Sequence, residues 1–180
     1  FDLPPERVHY MDGRVFLLRS NTHYEYIVID AFSAEQIAWH LVSVEALAET
    51  RARLADSGIV AINVTSVASG KDIAALQHTL QAAFTHVRTF SLDRGDELTS
   101  IVFLASPSPI LLSTQDSTLS GTRLAHVERF LSGELPDLHS DMLLSDDFNP
   151  VSYQRKHIQV LWREAMIEYL GEDNLNWLML

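Results

Sequence analysis

Residue types able to do chemistry gather in one stretch of the chain, YEYIVIDAFSAEQIAWHL, from Tyr24 to Leu41. The apolar run Tyr26-Ile27-Val28-Ile29 ends on the carboxylate of Asp30, and Ser33, Glu35 and His40 follow. A strand that is apolar at consecutive positions is one covered on both faces, as in the parallel sheet of an α/β domain. Such sheets bind ligands beyond the carboxyl ends of their strands, which is where Asp30 stands. An acidic residue ending a strand also serves to cap the turn that follows. Chemistry and capping both remain open on the residues alone.

The elements that must position this stretch alternate between strand and helix. Arg7 to Met11 is a short strand candidate leading into Asp12-Gly13, and Tyr24 to Asp30 is the strand just described. Val44, Leu47, Ala48, Leu54 and Ala55 keep helical spacing, with Ser43 placed as N-cap and Gly58 as stop. Ile59 to Val67, IVAINVTSV, is rich in β-branched residues and predicts a second buried strand. Ser69 and Asp72 have capping-box spacing, and Ile73, Leu76, Leu80, Ala83 and Phe84 make one apolar stripe, so a helix is expected over 70–84. His86 to Leu92 and Thr99 to Ala105 flank the turn-rich DRGDE and predict an antiparallel hairpin. A shorter helix is expected around Leu124 to Leu131 and a long one around Ile158 to Tyr169. Strands alternating with helices argue for an α/β fold with a partly parallel sheet. The closing hairpin is the irregularity. No internal repeat or linker divides the chain, so residues 1–180 are expected to form a single domain.

Composition narrows the function. Thirteen Lys and Arg against 24 Asp and Glu give a formal net charge of −11, which disfavours nucleic acid and anionic membrane surfaces and suits a small cationic partner. No apolar run is long enough to cross a bilayer, and no signal peptide with a basic head is visible, so a cytoplasmic location is expected. Without Cys there is neither a disulfide, a thiol nucleophile nor a thiolate metal site. The eight His residues show no HxxxH or HExxH spacing, and no metal is expected. Ser66, Ser69 and Ser113 lack a GxSxG setting, which argues against a hydrolase triad. The apolar tail NLNWLML suits a core or dimer contact better than a cofactor site.

Three segments carry a family resemblance. MDGRVFL (Met11 to Leu17), YEYIVIDAFSAEQIAWHLVSVEAL (Tyr24 to Leu47) and SGIVAINV (Ser57 to Val64) resemble, in order and spacing, the spermidine synthase family of aminopropyltransferases. They look most like its branch with a DAFS motif, and LLSDDFNP (Leu143 to Pro150) is similar to that branch's closing TDD-type motif. The resemblance runs from about residue 7 to 152 and implies the fold of class I S-adenosylmethionine-dependent methyltransferases, a Rossmann-like sheet ending in a reversed hairpin. By the same resemblance Asp30 is the catalytic Asp, which holds, orients and deprotonates an acceptor amine. Asp12 reads the adenine amine of the nucleoside, Gly13 lets the backbone approach it, and Ala31 lines the same site. Ser33, Glu35, His40 and Asp146 are the implied acceptor-site residues; His40 reads more readily as a packing residue, and Asp146-Asp147 is equally readable as a cap for the helix beginning near Pro150.

The chain departs from the pattern in two places. Ordinary synthases carry a second Asp three residues after the catalytic one, where this chain has Ser33, with Glu35 two residues further on. The glycine-rich turn that holds the amino acid portion of the nucleoside is absent, and the chain begins at Phe1 in what corresponds to the third strand. In the family's strand order, 3-2-1-4-5-7-6, the two missing strands lie between RVHYM and YEYIVID. The latter is then an exposed apolar edge, covered by an upstream half, by a partner chain, or by direct pairing with RVHYM. An upstream half, with a homodimer covering the edge in the 180-residue form, is expected. The function expected is transfer of an aminopropyl or other alkyl group to an amine from decarboxylated S-adenosylmethionine or S-adenosylmethionine, without metal. The alternatives are a small-molecule methyltransferase and a catalytically inactive homologue acting as a scaffold.

Overall fold

In the computed structural model, residues 4, 7–32, 38–92, 97–115, 120–151 and 156–170 are described. A first helix, α1 (Gly13–Arg19), leads to strand β1 (Tyr24–Ile29), and a single 3-10 turn at Trp39–Leu41 precedes α2 (Val44–Arg51). Ser43 starts α2 as expected: its hydroxyl accepts from the Ala46 N–H at 3.1 Å, satisfying a donor the helix leaves open. The helix stops at Arg51, short of the expected Ala55. Leu54 and Ala55 instead begin the long strand β2 (Leu54–Val67), where Leu54 pairs with Tyr24.

Gly58 is therefore not a helix stop. It lies inside β2, where a β-carbon would come within 2.8 Å of the Tyr24 carbonyl oxygen. Only glycine lets β1 come this close at its start. Gly58→Ala is expected to lower stability by about 1–3 kcal/mol, read as a shifted denaturation midpoint.

Helix α3 (Lys71–Ala83) buries Ile73, Leu76, Leu80 and Ala83 along one stripe, matching the spacing in the sequence. The N-cap is one residue later than the capping-box spacing placed it. Gly70 is the N-cap, and Asp72, only 4 % exposed, accepts from the Ser66 hydroxyl at 2.7 Å. A carboxylate this buried needs a hydrogen-bond donor, and the end of β2 supplies one.

The hairpin is β3 (His86–Ser91) and β4 (Leu98–Ser106), antiparallel as predicted. Helix α4 (Gly121–Ser132) follows, then the two-residue strand β5 (Glu134–Leu135) and, after a long loop, α5 (Lys156–Leu170). The sheet order is β1-β2-β4-β3-β5, with β1 parallel to β2 and the other pairs antiparallel. Val60, Ile62 and Val64 of β2 and Ile101 and Phe103 of β4 meet Leu47 of α2 and the α3 stripe in one core. Arg88 clamps the short β5 edge through two bonds to Glu134, at 2.7 and 2.8 Å. Among the described residues, no helix is long and apolar enough to cross a membrane.

Two expectations at the β1 edge are corrected. Arg7 to Met11 is not a strand: residues 8–10 have no regular structure, and Tyr10 is 98 % exposed. A strand needs a partner for its backbone donors and acceptors, and none is present on that side among the described residues. Nor is β1 covered on both faces. Ile29 is buried, but Tyr26 and Val28 are 70 % and 71 % exposed, because little among the described residues packs over their face of the strand. Direct pairing of RVHYM with YEYIVID, one of the three ways to cover this edge, does not occur among the described residues.

Candidate active site

Ile29, the last residue of β1, pairs with Ile62, so the next residue on each strand is Asp30 and Asn63. Alternation along the strands puts Tyr26, Val28 and Asp30 on one face together with Ile59, Ala61 and Asn63. Asn63 Nδ2 donates to Asp30 Oδ1 at 2.9 Å, and Asn63 Oδ1 accepts from the Ser100 hydroxyl of β4 at 2.7 Å. The parallel pairing of β1 with β2 thus supplies Asp30 with a neutral donor from the neighbouring strand.

Asp12 caps α1. Its Oδ1 accepts from the Val15 N–H at 3.1 Å, and His40 Nε2 donates to its Oδ2 at 2.7 Å. The Val15 N–H, followed by the His40 bond, holds the Asp12 carboxyl below its ordinary pKa. Each oxygen keeps a further lone pair, so the Asp12 carboxylate can still accept from a ligand amine.

Arg14 is the residue that the sequence did not single out. Its guanidinium donates to both Glu49 oxygens, at 2.6 and 2.9 Å, and to both Asp146 oxygens, at 2.7 and 2.8 Å. A fifth bond reaches the His40 carbonyl at 3.2 Å. One planar cation thereby joins α1, α2, the turn carrying His40 and the loop after Leu143. Asp146 also accepts from the Ser43 hydroxyl, and its N–H donates to Glu45 at 3.0 Å. Glu49 and Asp146 lie 35 and 132 residues from Arg14, too far for any local pattern to reveal.

Arg14 and then Ser43 hold the Asp146 carboxyl down to about 2, while the bonds to Glu49 and then to Asp146 push Arg14 up. A carboxyl with a depressed folded-state pKa adds stability that is complete above its unfolded value, about 3.9, and is lost as pH falls toward the folded one. Denaturation midpoints are therefore expected to drop between about pH 4 and pH 2, and the drop to be smaller in Asp146→Asn.

A cavity of about 560 Å³ opens between α1 and β1, lined by Gly13, Arg14, Tyr24, Val28, Asp30 and Ala31 among others. Its walls are mostly apolar, suited to a flat ring system, and Asp30 is the acidic residue among those that line it. Gly13 borders this space, but a β-carbon there would meet nothing within 4 Å, so no protein contact demands glycine. The structure therefore brings Asp30, Ala31 and Gly13 onto one cavity and joins Asp12 to His40 beside it. Asp146 is tied into the Arg14 cluster, and the first turn of a helix near Pro150 that it would cap lies outside the described residues. Ser33 and Glu35 lie outside the described residues, as does the NLNWLML tail. Among the described residues, no three His, Asp or Glu side chains gather as metal ligands would.

No family model matches the chain. A polyamine aminopropyltransferase of Vibrio vulnificus (strain CMCP6) is 28% identical over 159 residues, covering 81% of this chain and 52% of the relative. The crystal structure of a probable spermidine synthase from Corynebacterium glutamicum ATCC 13032 superposes with a TM-score of 0.53 at 17% identity, over 82% of this chain and 50% of that one. The chain spans about half the length of these two proteins. Over most of its own length it is similar in sequence to a polyamine aminopropyltransferase, and it shares the Rossmann-like fold of a spermidine synthase.

Proposed function

We propose that this chain carries the amine-accepting part of a transferase that moves an aminopropyl group from decarboxylated S-adenosylmethionine to a small cationic amine. The observation that supports this reading most is the state of Asp30. Of the neighbouring acidic residues, Asp12 is matched by His40, and Glu49 and Asp146 by Arg14. Among the described residues no cation faces Asp30, whose protein partner is the neutral Asn63 amide. A carboxylate left uncompensated beside an apolar cavity attracts an ammonium.

The chemistry needs little else from the protein. Asp30 holds the acceptor ammonium and takes its proton, freeing the nitrogen lone pair. The nitrogen attacks the carbon next to the sulfonium; the new C–N bond forms as the C–S bond breaks, and the electron pair neutralises the sulfur. Methylthioadenosine leaves. Holding the two reactants in line accounts for much of the rate. The apolar wall beside Gly13 and Ala31 receives the adenine, and Asp12 accepts from its amine.

The direct test incubates the 180-residue chain with decarboxylated S-adenosylmethionine and 1,4-diaminobutane and follows methylthioadenosine by mass spectrometry. Its formation supports the reading. Methylation of the diamine from S-adenosylmethionine instead supports a methyltransferase, for which Ser33 at the second-Asp position speaks. Absence of both products, with the fold intact, supports a scaffold.

The same reading has the protein in the cytoplasm as a homodimer. Among the described residues no strand pairs with the outer edge of β1, where Tyr26 and Val28 are exposed, and a second copy pairing there covers them. Light scattering is expected to report a dimer that Val28→Lys converts to monomer; a monomeric parent chain contradicts the dimer.

A further inference from the structure

We infer that Asn63, held by Ser100, is a positioning residue for Asp30 that sets the rotation of its carboxylate toward an incoming ammonium. The inference rests on Asp30 being the acceptor carboxylate, and adds how that carboxylate is aimed. Three strands contribute to the relay: Ser100 of β4 donates to Asn63 of β2, which donates to Asp30 at the end of β1. An isolated carboxylate at a strand end rotates freely about its terminal bond. A single amide donor on Oδ1 removes that freedom and leaves Oδ2 without a protein donor among the described residues.

The relay also fixes which way Asn63 faces. Val102 stands opposite Asn63 and Thr65 opposite Ser100, so Asn63 and Ser100 are diagonal neighbours on one sheet face. A hydroxyl can donate or accept, so the acceptor-only Asp30 carboxylate decides the orientation, and Ser100 then donates to the Asn63 carbonyl oxygen. The NH₂ end is then turned to Asp30. Were Asn63 flipped, its carbonyl would face the carboxylate and two acceptors would repel. A neutral amide orients Asp30 without neutralising the charge that draws the substrate. A Lys or Arg at this position would orient the carboxylate equally well and fill the cation site itself.

Two measurements test this. In ¹⁵N-correlated spectra of the chain, the Asn63 side-chain amide signals are expected to move in Asp30→Ala and again in Ser100→Ala. Signals unchanged in both variants overturn the relay. In calorimetric titrations with 1,4-diaminobutane, Asn63→Ala is expected to weaken binding about tenfold, the effect of losing one hydrogen bond to a charged group, and Ser100→Ala to weaken it less. In an Asp30→Asn background the same Asn63→Ala change should add nothing. A loss of equal size in both backgrounds overturns the inference, because Asn63 then acts on the ligand or the fold directly. If the parent chain binds no diamine, the transferase reading fails, while the amide signals still decide whether Asn63 aims Asp30. Should Asn63→Ala not fold, Ser100→Ala carries the cycle.

Discussion

Asp30→Asn is expected to lower aminopropyl transfer by at least about a hundredfold, the scale at which a positioned general base contributes. The substitution keeps the shape of the side chain, and its carbonyl oxygen can still accept from Asn63, so the relay across β1, β2 and β4 is preserved. The charge is what disappears. Without it the acceptor ammonium loses both its anchor and the base that takes its proton. Thermal stability should stay within about 0.5 kcal/mol of the parent, because the site is exposed and no described cation depends on Asp30. Methylthioadenosine formation measured alongside a melting curve separates the two effects. Unchanged turnover would remove Asp30 from its role as base.

The second large effect is structural. Arg14→Met is expected to destabilise the chain by about 2–3 kcal/mol, which for a domain of this size lowers the melting temperature by roughly 5–10 °C. The Arg14 side chain is 18 % exposed and its guanidinium makes four bonds to two carboxylates, which without it stand close together and uncompensated. The partial exposure of Glu49 and Asp146 keeps the loss below that of a fully buried pair. Arg14→Lys should recover little, since an ammonium cannot span both carboxylates with a planar fork. A melting temperature within about 2 °C of the parent in Arg14→Met would show the cluster to be solvated and weak.

The parts of the fold legible in the sequence are those whose pattern is local. Ser43 before Val44 announced α2, the Ile73, Leu76, Leu80 stripe announced α3, and DRGDE between two β-branched runs announced the hairpin. Asp30 at the end of YEYIVI was visible as a strand-end carboxylate. What escaped depends on neighbours far along the chain or missing beside it. Gly13 to Arg19 became a helix, and Arg7 to Met11 failed to become a strand, because strand status is decided by a pairing partner. The burial of β1 was overestimated for the same reason: hydrophobicity at consecutive positions shows that two faces seek cover, without saying that the cover is present. Strand β5 has two residues and so no period to read. Arg14 and Asn63 look like ordinary polar residues of a helix and a strand. Their partners, Glu49, Asp146 and Ser100, come together only in the folded chain.

Everything proposed for Asp30 and Asp12 depends on the cavity between α1 and β1 being the nucleoside end of a sulfonium-dependent transferase site. Isothermal titration with methylthioadenosine, the nucleoside product of aminopropyl transfer, decides this. Saturable heat is expected, and it should disappear in Asp12→Ala, where the acceptor for the adenine amine is gone. No heat at millimolar nucleoside from a folded chain would contradict the assignment.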